Sequence, residues 1–191
     1  MDNKERIMEC AEELFYSKGY DATGIQEIVD KAGITKPTLY YYFGSKLGLL
    51  QTLLQTKFEQ LLPVMRQEAG RQEDIKTKLY HLAGVCCHFF TEERKFYMLM
   101  MALFYSAREN EAYLTVKPYL TEFYRVVVEV FEKASDQLGN MHGRQKQFAL
   151  NFIGVLNQYM MVSEEQEPQG REAQKEQVIS LVNQFLHGIF S

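Results

Sequence analysis

The segment that most constrains the fold is KPTLYYYFGSK at 36–46, because it contains both ends of one short helix. Thr35 precedes it and is a residue type that caps helix starts, while Pro37 falls in the first turn, where proline is tolerated. Gly44 is a residue type that ends helices. The sequence therefore predicts a helix of only about two turns at 36–43.

Two further helices are predicted before this segment. The first carries apolar residues at the spacing of one helical face and ends at Gly19. The second follows Thr23 and Gln26, whose spacing is that of a capping box with Thr23 as the N-cap. A turn at 32–35, which includes Gly33, joins this helix to the short one. Two helices joined by such a tight turn predict a helix-turn-helix arrangement.

The rest of the chain carries longer apolar stripes at helical spacing and no period-2 alternation that would indicate strands. The helix that begins after Ser45 is expected to end or kink at Pro63. Further helices are predicted at 75–90, 91–104, 111–138, 143–162 and 172–190. A polar stretch at 163–171 predicts a loop. The 12 Gly and 4 Pro are few for an all-β protein, so we expect an all-α fold of about nine helices.

Charge is distributed unevenly along the chain. The formal net charge of −4 disfavours nonspecific binding of nucleic acid. Between Lys31 and Phe58, however, there are four lysines and no acid: Lys31, Lys36, Lys46 and Lys57. A local positive region of this kind fits a confined polyanion contact, and it also fits chance in a helix-rich chain.

Several classes of protein are disfavoured by the sequence. Three cysteines, two of them adjacent, do not form a disulfide framework, and the N-terminus lacks the apolar segment of a signal peptide. No apolar run approaches the roughly 20 residues that span a bilayer. We therefore expect a soluble, cytoplasmic protein with no membrane role. No phosphate-binding glycine loop or hydrolase motif is found, so we expect neither enzyme activity nor a cofactor.

The face that the short helix presents follows from the turn of about 100° per residue in an α-helix. Leu39 and Phe43 fall on one side with Tyr42 near them, so these three are expected to point inward. The opposite side carries a cation, hydroxyl groups and an apolar ring, and it contains no acid. Its residues are Lys36, Pro37, Thr38, Tyr40 and Tyr41. Such a surface offers contacts to phosphates and base edges.

The segment ATGIQEIVDKAGITKPTLYYYFGSKLGLL resembles the DNA-binding signature of TetR-family transcriptional repressors. The matching residues are Gly33, Thr35, Thr38, Leu39, Tyr40, Phe43, Ser45 and Lys46. The resemblance is strong over residues 3–55 and weak beyond them. It implies a helix-turn-helix DNA-binding domain at 1–46 and a larger effector-binding and dimerisation domain at 47–191.

The resemblance also implies a double-stranded DNA operator and assigns contacts to matching positions. Positions that reach base edges are occupied by Lys36, Pro37 and Thr38. Positions that contact phosphates are occupied by Tyr40, Tyr42 and Lys46. Tyr41 and Gln26 match positions that make either kind of contact. Thr23 is expected to bond a phosphate alone, because Gly24 and Ile25 replace the usual Thr/Ser pair, and Thr35 caps the helix or reads a base.

Two apolar stripes near the C-terminus are candidates for a homodimer contact, as the family uses, although they also fit the core of a single protomer. The candidate interface residues are Phe152, Leu156, Met160, Leu181, Val182 and Phe185.

The central helices are rich in Met, Tyr, Phe, His and Cys, which suits either an aromatic core or a pocket for an apolar or aromatic effector. The resemblance favours the pocket, with candidate residues His81, Cys86, His88, Phe89, Tyr97, Met101, Tyr105 and Tyr124. A metal site is disfavoured because Cys86, Cys87 and His88 point three ways on one helix. A helical adaptor or small-molecule-binding protein without DNA binding is the alternative to a ligand-released repressor.

Overall fold

The computed structural model describes residues 2–139, 143–162 and 171–188. Within these residues the chain forms nine α-helices and no strand, which confirms the all-α fold class. In chain order they are α1 (Asn3–Lys18), α2 (Ile25–Ala32), α3 (Lys36–Phe43), α4 (Lys46–Gly70), α5 (Ile75–Glu92), α6 (Arg94–Phe104), α7 (Glu111–Lys133), α8 (Gln145–Val162) and α9 (Arg171–His187). None of the helices in the described residues is long and apolar enough to cross a membrane. The loop predicted at 163–171 lies outside the described residues, except for Arg171.

The first three helices have boundaries set by local chemistry. At the start of α1, the Asp2 N–H donates to Glu5 at 2.9 Å and the Glu5 N–H donates to Asp2 at 2.8 Å, which is a capping box. α1 ends at Gly19 as predicted. Gly33 ends α2 with a φ of 61°, a left-handed conformation that favours glycine. α3 spans the predicted residues 36–43.

Of the two alternatives predicted for the fourth helix at Pro63, an end or a kink, the structure excludes the end. α4 continues through Pro63 for seven more residues to Gly70. A proline inside a helix removes one backbone hydrogen bond and costs about 3 kcal/mol or more. The side chains around it, Leu61, Leu62 and Met65, are buried, and burial of each such side chain contributes about 1.5–3 kcal/mol. Packing of the apolar stripe therefore offsets the proline.

The chain divides into two compact units, the first of which contains residues up to Gln60 together with Glu93–Leu120. In this unit α1 packs against α2 and α6, and α2 packs against α3. Its most buried apolar residues include Ile7, Ala11, Phe15, Ile28, Leu39, Leu49, Leu50 and Leu53. Phe58 extends this core, since its ring meets Phe96 edge-on at 5.9 Å and stacks on Tyr119 at 4.7 Å.

The second unit contains Leu61–Glu92 and the described residues from Thr121 onward. In this unit α5 packs against α8 and α9, and these two helices pack against each other. Three rings in this unit meet edge-on. The Phe131, Phe152 and Phe185 centroids lie 5.4 to 6.5 Å apart. These aromatic contacts give the second unit a core of its own.

Candidate nucleic-acid interface

α3 is anchored to the first unit by residues on one side of the helix. Leu39 and Phe43 are buried, as the sequence predicts. Tyr42, expected beside them, keeps 39% of its surface exposed, and its ring centroid lies 6.1 Å from that of Phe43. Tyr42 therefore contributes to the anchor while part of its ring stays accessible.

The opposite side of α3 faces solvent. Tyr41 is 84% exposed, and Lys36, Pro37 and Tyr40 are exposed as well. Thr38 is half-buried. The side that the sequence predicted as outward is therefore outward, and it presents rings, a cation and hydroxyl groups without an acid.

Three polar candidates near this face are bonded to their own neighbours. Thr35 precedes α3, but its side chain makes no capping hydrogen bond, and its Oγ1 lies 2.9 Å from Oγ1 of Thr38. Gln26 is exposed on α2 and donates from Nε2 to Asp30 at 2.7 Å. These hydrogen bonds are exposed, so breaking them and forming hydrogen bonds to DNA in their place changes the free energy little. Thr35, Thr38 and Gln26 therefore remain available for contacts with DNA.

Thr23 lies inside the protein, contrary to its predicted place as the N-cap of the second helix. It is 1% exposed, and its hydroxyl donates to the Gly19 carbonyl at 2.8 Å. The N-cap of α2 is Gly24, whose N–H donates to Glu27 at 3.2 Å, so Gln26 is not the capping partner either. A buried hydroxyl needs a partner within the protein, which explains the correction. A phosphate contact from Thr23 would require this turn to open.

Two of the four lysines in the acid-free segment are paired with acids from other parts of the chain. Lys31 Nζ lies 3.2 Å from Glu13 of α1. Lys57 is partly buried against Glu12, at 3.5 Å, and against Glu93. Burial raises the pKa of Glu12, although the charge of Lys57 opposes the shift. The acid-free run in the sequence is therefore not a positive patch on the surface.

The other two lysines of that run have different environments. Lys36 is exposed at the start of α3, and no acid pairs with it in the part of the chain that the structure describes. Lys46 donates from Nζ to the carbonyls of Tyr20 at 3.0 Å and Thr23 at 3.1 Å. Lys36 is thus the cation that the exposed face of α3 offers to a polyanion.

Gly48 supports this face, although its role was not predicted from the sequence. A Cβ atom at Gly48 would lie 2.0 Å from the carbonyl oxygen of Phe43, the last residue of α3. The Gly48 N–H also donates to Ser45 Oγ at 2.9 Å, so the Ser45 side chain caps the start of α4. The signal in the sequence was the glycine two residues after the Ser-Lys pair, where only glycine permits this close approach.

Residues 7–53 match the sequence model of the family described as bacterial regulatory proteins, tetR family. This span contains α1 from Ile7 onward, all of α2 and α3, and the first turns of α4, and it includes the anchored helix-turn-helix and its exposed face. The chain is a TetR-family transcriptional regulator. Proteins of this family bind DNA and regulate transcription, and they are not enzymes. Two predictions from the sequence are therefore confirmed: that the chain is a DNA-binding transcriptional regulator, and that it is not an enzyme.

The likeness extends over most of the chain. The transcriptional activator FasR of Mycolicibacterium smegmatis is 28% identical over 159 residues, which cover 81% of this chain and 68% of that protein. A putative fatty acid metabolism regulator of Clostridium perfringens superposes with a TM-score of 0.85 over 97% of this chain and 99% of that one, at 20% identity. FadR of Bacillus subtilis, solved in complex with stearoyl-CoA, has a TM-score of 0.76 over 97% and 98%, at 16% identity. The two structures show the same fold as this TetR-family chain.

The predicted effector residues of this TetR-family regulator are divided between the two units. The first unit contains Tyr97 and Met101, which are buried, and Tyr105, which is exposed after the end of α6. Cys86 and Phe89 lie in the second unit and are buried on α5. Burial raises the pKa of the Cys86 thiol, so this residue is a neutral part of the core.

A groove of about 960 Å³ runs along α5 and α9 within the second unit. It is lined by His81 and His88 from the predicted set, whereas Tyr124 lies outside it and donates to the Lys146 carbonyl at 3.2 Å. Its wall also includes apolar side chains and two lysines: Val85, Cys87, Val178, Ile179, Lys76 and Lys175. Among the described residues, no group of three or more His, Cys, Asp and Glu side chains is arranged to hold a metal ion.

Most of the predicted dimer residues are buried in the protomer. Leu181 and Phe185 are half-buried, and the other four are buried: Phe152, Leu156, Met160 and Val182. These four belong to the core of the second unit, because α5 packs against α8 and α9. The apolar residue that α8 exposes most is instead Leu150, at 61%.

Proposed function

We propose that this TetR-family regulator is a homodimeric repressor that binds a palindromic operator through α3 and is released from it by a small molecule. The observation that carries the proposal is the exposed side of α3, where Tyr41 is 84% exposed and Lys36 has no acidic partner in the described residues. Groups that the fold leaves in water can contact bases and phosphates without disturbing the core. We place the functional boundary after Lys46, with DNA binding in 1–46 and effector binding and dimerisation in 47–191.

The candidate residues on α3 and beside it have different roles in the proposal. Base edges are contacted by Lys36, Pro37 and Thr38, and phosphates by Tyr40 and Tyr42. Tyr41 faces the groove, since the exposed ring suits contact with a thymine methyl. Gln26 pairs with a base or the backbone from α2, and Thr35 supports Thr38.

A second copy of the chain is needed in this proposal, because one helix-turn-helix reads only one half-site. Two-fold dimers read half-sites about 34–36 Å apart or multiples of that distance. Leu150, Met161 and Val162 leave apolar surface exposed on α8, which supports a protein contact there. Sedimentation velocity of Leu150→Glu tests this surface. We expect a monomer, and a dimer as stable as the wild type would place the contact elsewhere.

The groove along α5 and α9 supports an effector site. Its volume of about 960 Å³ is within the range of about 300–1,000 Å³ usual for small-molecule sites. Val85 and Ile179 suit an apolar or aromatic body, and Lys76 and Lys175 suit an anionic group. Because FadR of Bacillus subtilis was solved with stearoyl-CoA, a long-chain acyl-CoA is the first compound to test.

Fluorescence anisotropy with DNA from upstream of the chain's own gene tests the DNA-binding part of the proposal. We expect binding to a palindrome that weakens steeply with salt, because phosphate contacts release counterions. Tyr40→Ala is expected to weaken binding to every sequence, whereas Pro37→Ala and Thr38→Ala change the preference among operator variants. No binding at low ionic strength would contradict the proposal. If Pro37→Ala and Thr38→Ala instead weakened binding to all operator variants equally, Pro37 and Thr38 would not be base-reading residues.

Gly84→Leu tests the groove as the effector site. Gly84 lines the groove, and a Cβ atom there meets nothing within 4 Å, so a leucine at this position adds a bulky side chain to the wall of the groove. We expect the variant to bind operator DNA like the wild type and to resist release by stearoyl-CoA. Release at the wild-type concentration would show that the groove does not bind the effector.

A further inference from the structure

The ammonium of Lys46 is used inside the protein. Resemblance to the family implies a phosphate contact at this position, yet Nζ donates to the carbonyls of Tyr20 at 3.0 Å and Thr23 at 3.1 Å. The same nitrogen lies 4.3 Å from the centroid of the Tyr20 ring, which is a cation–π contact. An ammonium has three N–H donors. Two hydrogen bonds and one ring contact therefore occupy Lys46 before any DNA is present.

These contacts converge on the turn between α1 and α2. The Tyr20 side chain is buried, and its hydroxyl donates to Glu111 Oε1 at 2.6 Å. In the same turn, Asp21 accepts from Asn110 Nδ2 at 2.6 Å. Lys46 is the first residue of α4 and Glu111 is the first residue of α7. The turn is thus held from two other helices of the first unit.

The position of this turn determines where the DNA-binding helices lie. α2 begins at Ile25, directly after the turn, and α3 follows α2 after the tight connection at Gly33. A shift of the turn would therefore move the exposed face of α3. Hydrogen bonds from a charged donor are about twice as strong as neutral ones, so Lys46 is well suited to prevent such a shift.

We propose that Lys46 is a positioning residue for DNA binding and not a phosphate contact. With Tyr20 and Glu111 it forms a clamp, the Tyr20–Lys46–Glu111 clamp, that fixes the α1–α2 turn and through it the orientation of α3. To reach a phosphate, Lys46 would have to give up its hydrogen bonds to the Tyr20 and Thr23 carbonyls and its contact with the Tyr20 ring, and both losses cost free energy. The proposal rests on DNA binding through α3.

The salt dependence of DNA binding separates the two roles of Lys46. Each phosphate contact adds about −0.9 to the slope of log Kobs against log salt concentration, so its loss reduces the steepness by that amount. The test compares Lys46→Gln with Lys36→Gln, which removes the same charge from an exposed residue of α3. Lys36 is assigned to a base edge, and its exposed ammonium also neutralises a phosphate beside the groove, so we expect Lys36→Gln to reduce the steepness by about 0.9. Lys46→Gln is expected to lower the affinity about tenfold, equal to about 1.4 kcal/mol, at an unchanged slope.

Two outcomes of this comparison would overturn the proposal. A slope reduced by Lys46→Gln as much as by Lys36→Gln would make Lys46 a phosphate contact. Wild-type affinity of Lys46→Gln would show that the clamp does not position α3. Tyr20→Phe removes only the hydroxyl bond to Glu111, so a smaller loss of affinity at the same slope is expected.

A measurement on the wild-type protein does not depend on whether Lys46→Gln folds. In protein labelled with ¹⁵N-lysine, the ammonium of Lys46 is expected to be protected from hydrogen exchange without DNA and to keep its signal when operator DNA is added. The signal of Lys36 is expected to shift on DNA addition. An unprotected Lys46 ammonium in the free protein would disprove the clamp. If the wild type bound no DNA, the proposed function would fail, and this measurement on the free protein would still test the clamp.

Discussion

α3 and α8 were interpreted from the sequence with the same helical geometry, and their outward faces differ in how well they were predicted. In α3 the side opposite Leu39 is exposed as expected, with Tyr41 84% exposed. In α8 the stripe expected to face a second protomer contains Phe152, which is 2% exposed within its own protomer. Leu150, which was not among the candidates, is the most exposed large apolar residue of that helix, at 61%.

The difference follows from what surrounds each helix. α3 has eight residues, and Leu39 and Phe43 are the two it buries, so little more than one face can be covered. α8 packs against both α5 and α9, and these neighbours take the apolar stripe. A helical wheel identifies the apolar side of a helix, but it does not identify the element that covers that side.

Phe152→Ala tests the core assignment and has the largest expected effect. The ring of Phe152 meets Phe131 and Phe185, so its removal should cost about 3–5 kcal/mol of unfolding free energy, measured by urea denaturation. The matched control on the same helix, Leu150→Ala, should change the protomer's stability by no more than about 0.5 kcal/mol. Comparable losses in both variants, with denaturation midpoints that rise with protein concentration, would show that Phe152 stabilises a dimer contact and not the protomer core.

Leu39→Ala and Tyr41→Ala separate folding from DNA binding on α3. Leu39 is fully buried, so its truncation should cost about 2–5 kcal/mol of unfolding free energy and weaken DNA binding through loss of the anchor. Tyr41→Ala should leave stability within about 0.5 kcal/mol of the wild type and still reduce operator affinity, measured by anisotropy. Stable Tyr41→Ala protein with wild-type affinity would remove this ring from the DNA contact.

Gly48→Ala tests the junction that supports the end of α3. The added Cβ would lie 2.0 Å from the Phe43 carbonyl oxygen, which is backbone and cannot rotate away. Overpacking of this kind should cost about 1–3 kcal/mol and reduce DNA affinity. Gly84→Ala is the matched control within α5, because its Cβ meets nothing within 4 Å, and it should stabilise the helix by about 0.5–1 kcal/mol. Equal effects of the two substitutions would show that the close approach at Gly48 is not required.

The smallest expected effect concerns Glu12, which lies against Lys57 in the first unit. Because burial raises the pKa of Glu12, the folded protein binds this proton more tightly than the unfolded chain does. The contribution of Glu12 to stability therefore increases as pH falls through the range just above the ordinary glutamate pKa. In urea denaturation, the stability of the wild type relative to Glu12→Gln should rise over that range. A fall in the same range would mean that pairing with Lys57 outweighs burial.

Much of the DNA-binding face could be predicted because its determinants are local. The ends of α1 and α3 were correct because capping residues, prolines and glycines act within a few positions of themselves. Thr23 was placed incorrectly because its hydroxyl is buried against the carbonyls of Leu14 and Gly19, and the capping-box pattern does not show that α1 covers this residue. The end of α4 was missed because tertiary packing around Pro63 offsets a local preference.

The sequence by itself determined the all-α fold, the helix-turn-helix and the outward side of α3, because each depends on residue order over one or two turns. Only the tertiary structure decided which partners the charged and apolar side chains meet. Lys46 bonds a carbonyl 26 residues away, and Tyr20 bonds a carboxylate 91 residues away. Such pairs are decided by packing of whole helices, so the same lysine that looks like a phosphate contact in the sequence lies against a buried ring in the fold.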